Sequence, residues 1–232
     1  GKYSVNNDNN KSCVIVLDSE GDGINQSIWI VDSKKKQLKN ILRNSQCDLA
    51  RIYKLVTLIL NMKPDEHEFK IMGMAPYAKK NYYKAVNKKV FQNLLRFENL
   101  AIVRKKRPRD LYQFLKKELM PYRFDNIAGA LQYYLETTVQ KLLSKINRKY
   151  AIKNFYFSGG VSMNVKMYNT FIKSRHISKI FNAPSGTDES LSIGACYYLN
   201  HKNKSYPLTN LSLGLPVVER KQSLKKILKL YF

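Results

Sequence analysis

The chain has 232 residues, 44% of them hydrophobic, and carries 41 Lys and Arg against 17 Asp and Glu for a formal net charge of +24. That hydrophobic share supports a sizeable core and excludes a disordered chain, while no apolar run approaches the ~20 residues needed to span a bilayer. Cys13, Cys47 and Cys196 are too scattered for a disulfide framework or a zinc pattern, as are the histidines His67, His176 and His201.

The start of the chain has no signal-peptide pattern, so a soluble protein in the cytoplasm is expected. Taken alone, the charge favours anionic partners such as nucleic acid, an acidic membrane surface or phosphorylated small molecules. The bases, however, are spread along the whole chain instead of forming one block, and a nucleic-acid partner is not expected.

Residues 1–11 are polar and Asn-rich and read as a loose or cut edge. Cys13 to Leu17 is a short apolar run of the kind found in buried strands, Ser19 to Gly23 a turn, and Ser27 to Val31 a second strand, so the pair reads as a hairpin. Gln37 to Arg43 is a candidate third strand. From Asp48 to Asn61 the apolar positions fall at helical spacing, with Asp48 as candidate cap and Pro64 as stop. Phe69 to Tyr77 reads as a loop punctuated by Gly73 and Pro76. A basic, helical insert is expected over 81–122, interrupted at Pro108.

The strongest helical pattern runs from Asp125 to about Lys149, with Ile127, Leu131, Leu135, Val139, Leu142 and Ile146 on one face. Asn154 to Ser158 reads as a strand, Gly159-Gly160 as a turn into a helix over 163–173, and Lys179 to Asn182 as a further strand. A loop at 184–187 leads into a helix over 188–199. A linker from 201 and a short basic helix from Gln222 to Leu230 complete the chain. Three antiparallel strands followed by βα units is the order of one ribonuclease H-like lobe, as in sugar kinases and actin-like ATPases. The expected fold is therefore α/β, a mixed sheet with a helical insert, occupying 12–200.

Four constellations carry possible chemistry. In Ser158-Gly159-Gly160-Val161-Ser162-Met163-Asn164, two glycines between a strand end and a helix start allow close approach of a phosphate or ribose, although a tight turn without ligand has the same pattern. Asp188, between a strand and a helix, suits either a divalent cation or an N-cap. Asp18, at the end of the first strand, faces metal or phosphate in lobes of this type or stabilises a turn, with Asp22 as its competitor. Glu68 and Lys70 precede Met72-Gly73, where a lysine can meet developing negative charge and the carboxylate can position it.

Together these segments resemble the O-carbamoyltransferase family of nodulation and antibiotic-tailoring enzymes. Glu68-Phe-Lys-Ile-Met-Gly-Met-Ala-Pro-Tyr77 resembles the family's E-x-K-V-M-G-L-A-P-Y-G segment. Ser158 to Lys166 resembles its G-G-V-x-x-N segment, and Pro184 to Ala195 its P-x-x-G-D-x-x-x-x-x-G-A segment. The three occur in the family's order, within a likeness covering about residues 12–215.

The resemblance implies two steps. A YrdC-like domain, C-terminal in the family, makes carbamoyl adenylate from carbamoyl phosphate and ATP. The actin-like domain then passes the carbamoyl group to an acceptor hydroxyl with the help of a divalent metal (Fe2+, Mn2+ or Mg2+). On this reading Asp188 and Asp18 are metal carboxylates, and Gly159, Gly160, Val161 and Asn164 lie along the adenosine and phosphates. Lys70, Met72, Gly73 and Glu68 belong to the nucleotide and acceptor cleft.

The family takes further metal ligands from an H-x-x-x-H pair upstream of the first strand, and no such pair is in this sequence. Ala78 stands where the family has Gly, and Thr187 precedes Asp188 where Gly is usual, Gly186 lying one place earlier. The expectation is a chain that lacks the N-terminal half and the YrdC-like domain, and acts as part of a larger enzyme. A tRNA threonylcarbamoyl transferase relative and a non-catalytic basic interaction module are the alternatives.

Overall fold

The computed structural model describes residues 11–106, 108–172, 174, 177–182 and 185–199. The expectations for residues 1–10 and for the linker and helix after 200 lie outside the described residues. Lys11, assigned to the loose edge, instead opens the first strand.

That strand, β1 (Lys11–Leu17), pairs antiparallel with β2 (Gln26–Asp32), which pairs antiparallel with β3 (Gln37–Asn44). On the other side β1 pairs parallel with β6 (Asn154–Ser158), and β6 pairs parallel with β7 (Lys179–Asn182). The sheet order is β3-β2-β1-β6-β7, three antiparallel strands extended by parallel βα units. This is the ribonuclease H-like arrangement expected. Alternation along β1 buries Cys13, Ile15 and Leu17, and β6 buries Phe155, Tyr156 and Phe157. Each large apolar side chain so enclosed contributes roughly 1.5–3 kcal/mol.

Against the sheet lie α1 (Leu49–Ile59) and the 27-residue α5 (Phe124–Tyr150), which is about 40 Å long at 1.5 Å per residue. Ile127, Leu131, Leu135, Val139, Leu142 and Ile146 of α5 are buried, as their spacing predicts. Ala151, in a left-handed conformation at φ 54°, ends α5, and its N–H reaches back to Asn147 O. The chain returns to the sheet through α6 (Val165–Ile172) and ends its described part in α7 (Glu189–Leu199). Residues up to Cys196 belong to one compact unit.

Three expectations change. Glu68–Met74 is the helix α2, followed by a 3₁₀ turn over Ala75–Tyr77, not a loop. One glycine within a helix costs only about 1 kcal/mol, and Pro76 falls at the start of the 3₁₀ turn, where its missing N–H has no cost. The insert is only partly helical. After α3 (Lys80–Val86) and a π-turn over Asn87–Phe91, β4 (Leu95–Glu98) and β5 (Ala101–Arg104) form a hairpin, and α4 (Leu111–Leu119) follows. Asn99, at φ 55°, supplies the positive dihedral of its two-residue turn.

Asp48, finally, does not cap α1 with its side chain. Its buried carboxylate takes a fork of bonds from Arg104 of β5, with Nη2 2.8 Å from Oδ1. Gln26 and Asn44 tie the same hairpin to the sheet through the backbone of Leu100 and Ile102.

Candidate functional site

Parallel pairing sends the carboxyl ends of β1, β6 and β7 toward one edge of the sheet, the edge where open α/β sheets form their ligand crevices. Val16 lies opposite Ser158, so the residues that follow each strand, Asp18 and Gly159-Gly160, emerge side by side. Gly159 has φ 85°, and a Cβ there would fall on the backbone carbonyl of Leu17. Only glycine permits this turn. At Gly160 a Cβ would come within 3.5 Å of Asp18 Oδ1, so the carboxylate stands directly against the corner. Asp18 Oδ1 also accepts a hydrogen bond from Ser19 N at 2.7 Å.

The loop after β7 closes on the same corner. A Cβ on Gly186 would overlap Ser162 Oγ and come within 2.9 Å of Gly159 O. Asn182 Nδ2 donates to Ser162 O at 2.9 Å, holding the end of β7 to the turn. The glycine needed for close approach is thus Gly186, two residues before Asp188, and Thr187 can occupy the intervening place. At the start of α7, Ser190 N and Leu191 N donate to the backbone oxygens of Thr187 and Asp188. These first-turn donors do not use the Asp188 carboxylate, which weakens the capping role weighed for it.

The result is a cavity of about 520 Å³. Asp18, Gly160, Val161, Asn164 and Asp188 line it from the sheet edge, and Glu68, Phe69 and Met72 from α2. Lys70 and Gly73 are not among its lining residues, because the helix turns positions 68, 69 and 72 inward and 70 and 73 away. Lys70 Nζ instead lies 5.8 Å from the centre of the Phe69 ring. Gly159 shapes the corner from behind without lining the cavity. Asp22, the competitor of Asp18, sits in the β1–β2 turn at φ 50° and is likewise not on the wall.

In a chain of net charge +24, this wall is acidic. Asp18, Glu20, Asp65, Glu66, Glu68 and Asp188 face it, with Lys54 the lone basic lining residue among the described residues. Lys54 pairs with Asp65 at 2.5 Å, and Glu66 pairs with Lys63. Among the described residues no three His, Cys, Asp or Glu side chains cluster closely enough to hold a metal ion.

Behind the wall runs a polar chain that the sequence reading missed. Tyr53 and Asn164, both lining residues, are bonded to Gln132 of α5, which in turn donates to Glu136 at 2.7 Å. Burial raises the Glu136 carboxyl above its ordinary value, while the bond from Gln132 and the charge of Lys166 pull it down. Burial likewise raises the Tyr53 phenol. The available signal was Gln132 itself, a polar residue beside Leu131 and Leu135 on an apolar helical face.

Ala78, where the related segment carries Gly, is extended at φ −74° and needs no glycine. Its Cβ lies where a side chain on Gly129 of α5 would have to go, so the small residue is supplied from the opposite side. Cys13 and Cys47 are buried and their thiols are pushed up to about 12, while Cys196 is exposed. None of the three lines the cavity.

Strand order and cavity together define a ribonuclease H-like α/β lobe with a cavity at the carboxyl ends of its parallel strands. The chain belongs to the carbamoyltransferase family, matching the carbamoyltransferase N-terminus over residues 7–197. Two uncharacterized proteins of Methanocaldococcus jannaschii are 27% and 26% identical to it, each over 80% of this chain but only 36% and 33% of their own length. An uncharacterized protein of a Synechocystis strain is 21% identical over 83% of this chain and 33% of its own. The chain thus spans about a third of the length of these curated relatives.

Among solved structures, the activator of the 2-hydroxyisocaproyl-CoA dehydratase from Clostridium difficile, with bound ADPNP, is similar at TM-score 0.46 and 11% identity, covering 85% of this chain and 65% of that one. Component A of the (R)-2-hydroxyglutaryl-CoA dehydratase from Acidaminococcus fermentans is similar at TM-score 0.46 and 13% identity, covering 80% and 60%. Among the described residues no helix is long and apolar enough to cross a membrane.

Proposed function

We propose that the cavity binds an adenine nucleotide with a divalent cation, and that this lobe takes part in carbamoyl transfer from carbamoyl adenylate to an acceptor hydroxyl. The single observation that carries the reading is convergence. Asp18, the Gly160–Asn164 turn and Asp188, from three separate strand ends, line one cavity in a chain of the carbamoyltransferase family.

The acidic wall supports a cation. A polyphosphate entering among these carboxylates is repelled unless positive charge comes with it. Carboxylate oxygens suit a hard divalent ion; Asp18 stands against Gly160, and Asp188 lines the same cavity two residues after Gly186, which packs on that corner. Two carboxylates do not complete a coordination shell, so these residues fit as partial ligands, the remaining positions going to phosphate, water or groups outside the described residues. When bound, such an ion neutralises the adenylate phosphate and polarises the carbamoyl carbonyl.

In this proposal the residues of the chain divide the remaining work. The tight corner at Gly159 and Gly160 lets backbone approach the phosphates, and Val161 and Met72 cover the nucleoside. The acceptor oxygen bonds to the carbamoyl carbon, and the bond from that carbon to the phosphate oxygen breaks. AMP leaves with the electron pair, and the hydroxyl proton passes to Glu68. Formation of the adenylate from carbamoyl phosphate and ATP is assigned in this proposal to a YrdC-like domain of the family.

Calorimetric titration of the chain with ATP and Mn2+ tests the reading. Saturable binding is expected, weakened about tenfold or more in Asp188→Ala with an unchanged circular dichroism spectrum. Equal binding in the variant would leave Asp188 merely at a helix start. No binding by the wild-type chain would put the non-catalytic interaction module in its place.

A further inference from the structure

Gln132 does not line the cavity, yet its amide is fully committed behind it. It is 3% exposed, and an amide offers two donors and two acceptor positions. All four are used. Nε2 donates to Glu136 Oε1 at 2.7 Å and to Asn164 Oδ1 at 2.9 Å. Oε1 accepts from Asn164 Nδ2 at 2.8 Å and from the Tyr53 hydroxyl at 3.2 Å.

Asn164 is therefore gripped at both ends of its carboxamide. Its Oδ1 accepts from Met167 N at 3.1 Å as well as from Gln132, which fills both lone pairs. What remains is the second hydrogen on Nδ2, which lies within reach of the Tyr53 hydroxyl, both residues lining the cavity. An apolar residue of similar size would fill the space of Gln132 equally well. A saturated amide in an otherwise apolar stripe does something more, because it fixes which end of Asn164 can face a ligand.

We infer that Gln132 is a positioning residue that locks Asn164 as a hydrogen-bond donor, so that the cavity selects a ligand presenting an acceptor atom at that point. The inference rests on the nucleotide reading above and deepens it, since phosphate oxygens, ribose oxygens and the adenine ring nitrogens are all acceptors. Tyr53 is positioned by the same amide.

The test reverses the polarity of residue 132. As a carboxylate, Glu at this place would oppose Asn164 Oδ1 and Glu136, whose neighbours include Lys166 of α6, while the charge of Glu68 of α2 also acts on Tyr53. Once protonated, it regains a donor for Asn164 Oδ1. Gln132→Glu is expected to bind Mg-ATP about tenfold more weakly than wild type at about pH 8, and within about threefold of wild type at about pH 5.5. Gln132→Met, of similar size but without hydrogen bonds, is expected to lose affinity to the same degree at both pH values. Gln140→Glu, on the exposed face of the same helix, is the control and stays at wild-type affinity.

If Gln132→Glu does not fold, Gln132→Met carries the test, with folding checked by circular dichroism. A folded Gln132→Glu or Gln132→Met chain that binds Mg-ATP like wild type at about pH 8 would reduce Gln132 to a core residue and leave the nucleotide reading standing. Failure of the wild-type chain to bind Mg-ATP would overturn both.

Discussion

The two sides of the cavity are built on different principles. At the sheet edge, position is set by backbone against backbone. Gly159 is pressed on the carbonyl of Leu17, and Gly186 on the turn that contains Gly159 and Ser162. On the α2 side, position is set by which face of a single helix looks inward, so that Glu68, Phe69 and Met72 reach the cavity while Lys70 and Gly73 do not. The first kind of wall has no room for an added atom at Gly159. The second depends on helical phase and leaves four of its seven residues off the cavity.

The largest effect should come from the most crowded contact. Gly159→Ala combines a positive φ with overlap against a backbone oxygen that cannot move without displacing β1. A loss of about 3 kcal/mol or more of folding stability is expected, read as a lower urea midpoint. A stable Gly159→Ala protein would break the claim that this corner is sterically fixed.

Gly186→Ala should come next and act mainly on binding. Its Cβ would meet the flexible end of Ser162 as well as Gly159 O, so the loop can shift at moderate cost and carry Asp188 with it. About tenfold weaker Mg-ATP affinity, near 1.4 kcal/mol, is expected with a smaller change in urea midpoint. Unchanged affinity would separate Asp188 from the glycine corner. The smallest effect belongs to Lys70→Ala, which should bind Mg-ATP within about twofold of wild type because α2 turns the residue away from the wall. A loss of tenfold or more would mean that α2 presents a different face to the ligand.

The same contrast explains what could be read from the sequence. The three leading strands, α5 and the strand from Asn154 to Ser158 follow from strong local patterns, apolar runs next to turn residues and a long stripe at helical spacing. Asp18, Gly160 and Asp188 were legible as site candidates because each directly follows a strand or precedes a helix at the sheet edge. The Glu68–Tyr77 segment was misread because Gly73 and Pro76 suggest a loop, whereas each sits where a helix or 3₁₀ turn tolerates it.

The β4–β5 hairpin was missed for a different reason. Its strands have only four residues each, and what makes them strands is tertiary: Asp48 holding Arg104, and Gln26 and Asn44 meeting the backbone of Leu100 and Ile102. Gln132 escaped attention because its partners Tyr53 and Asn164 lie 79 and 32 residues away and meet only in the fold.

The central claim is that one cavity at the carboxyl ends of the parallel strands receives the nucleotide. Titration of the nitrogen-15-labelled chain with Mg-ATP, followed by amide chemical shifts, tests it most directly. The account predicts that perturbations concentrate at Asp18, Gly160, Val161, Asn164 and Asp188 and leave Lys70 unmoved. Perturbations confined to the basic groove on α5 lined by Lys141, Lys145 and Arg148 would contradict it.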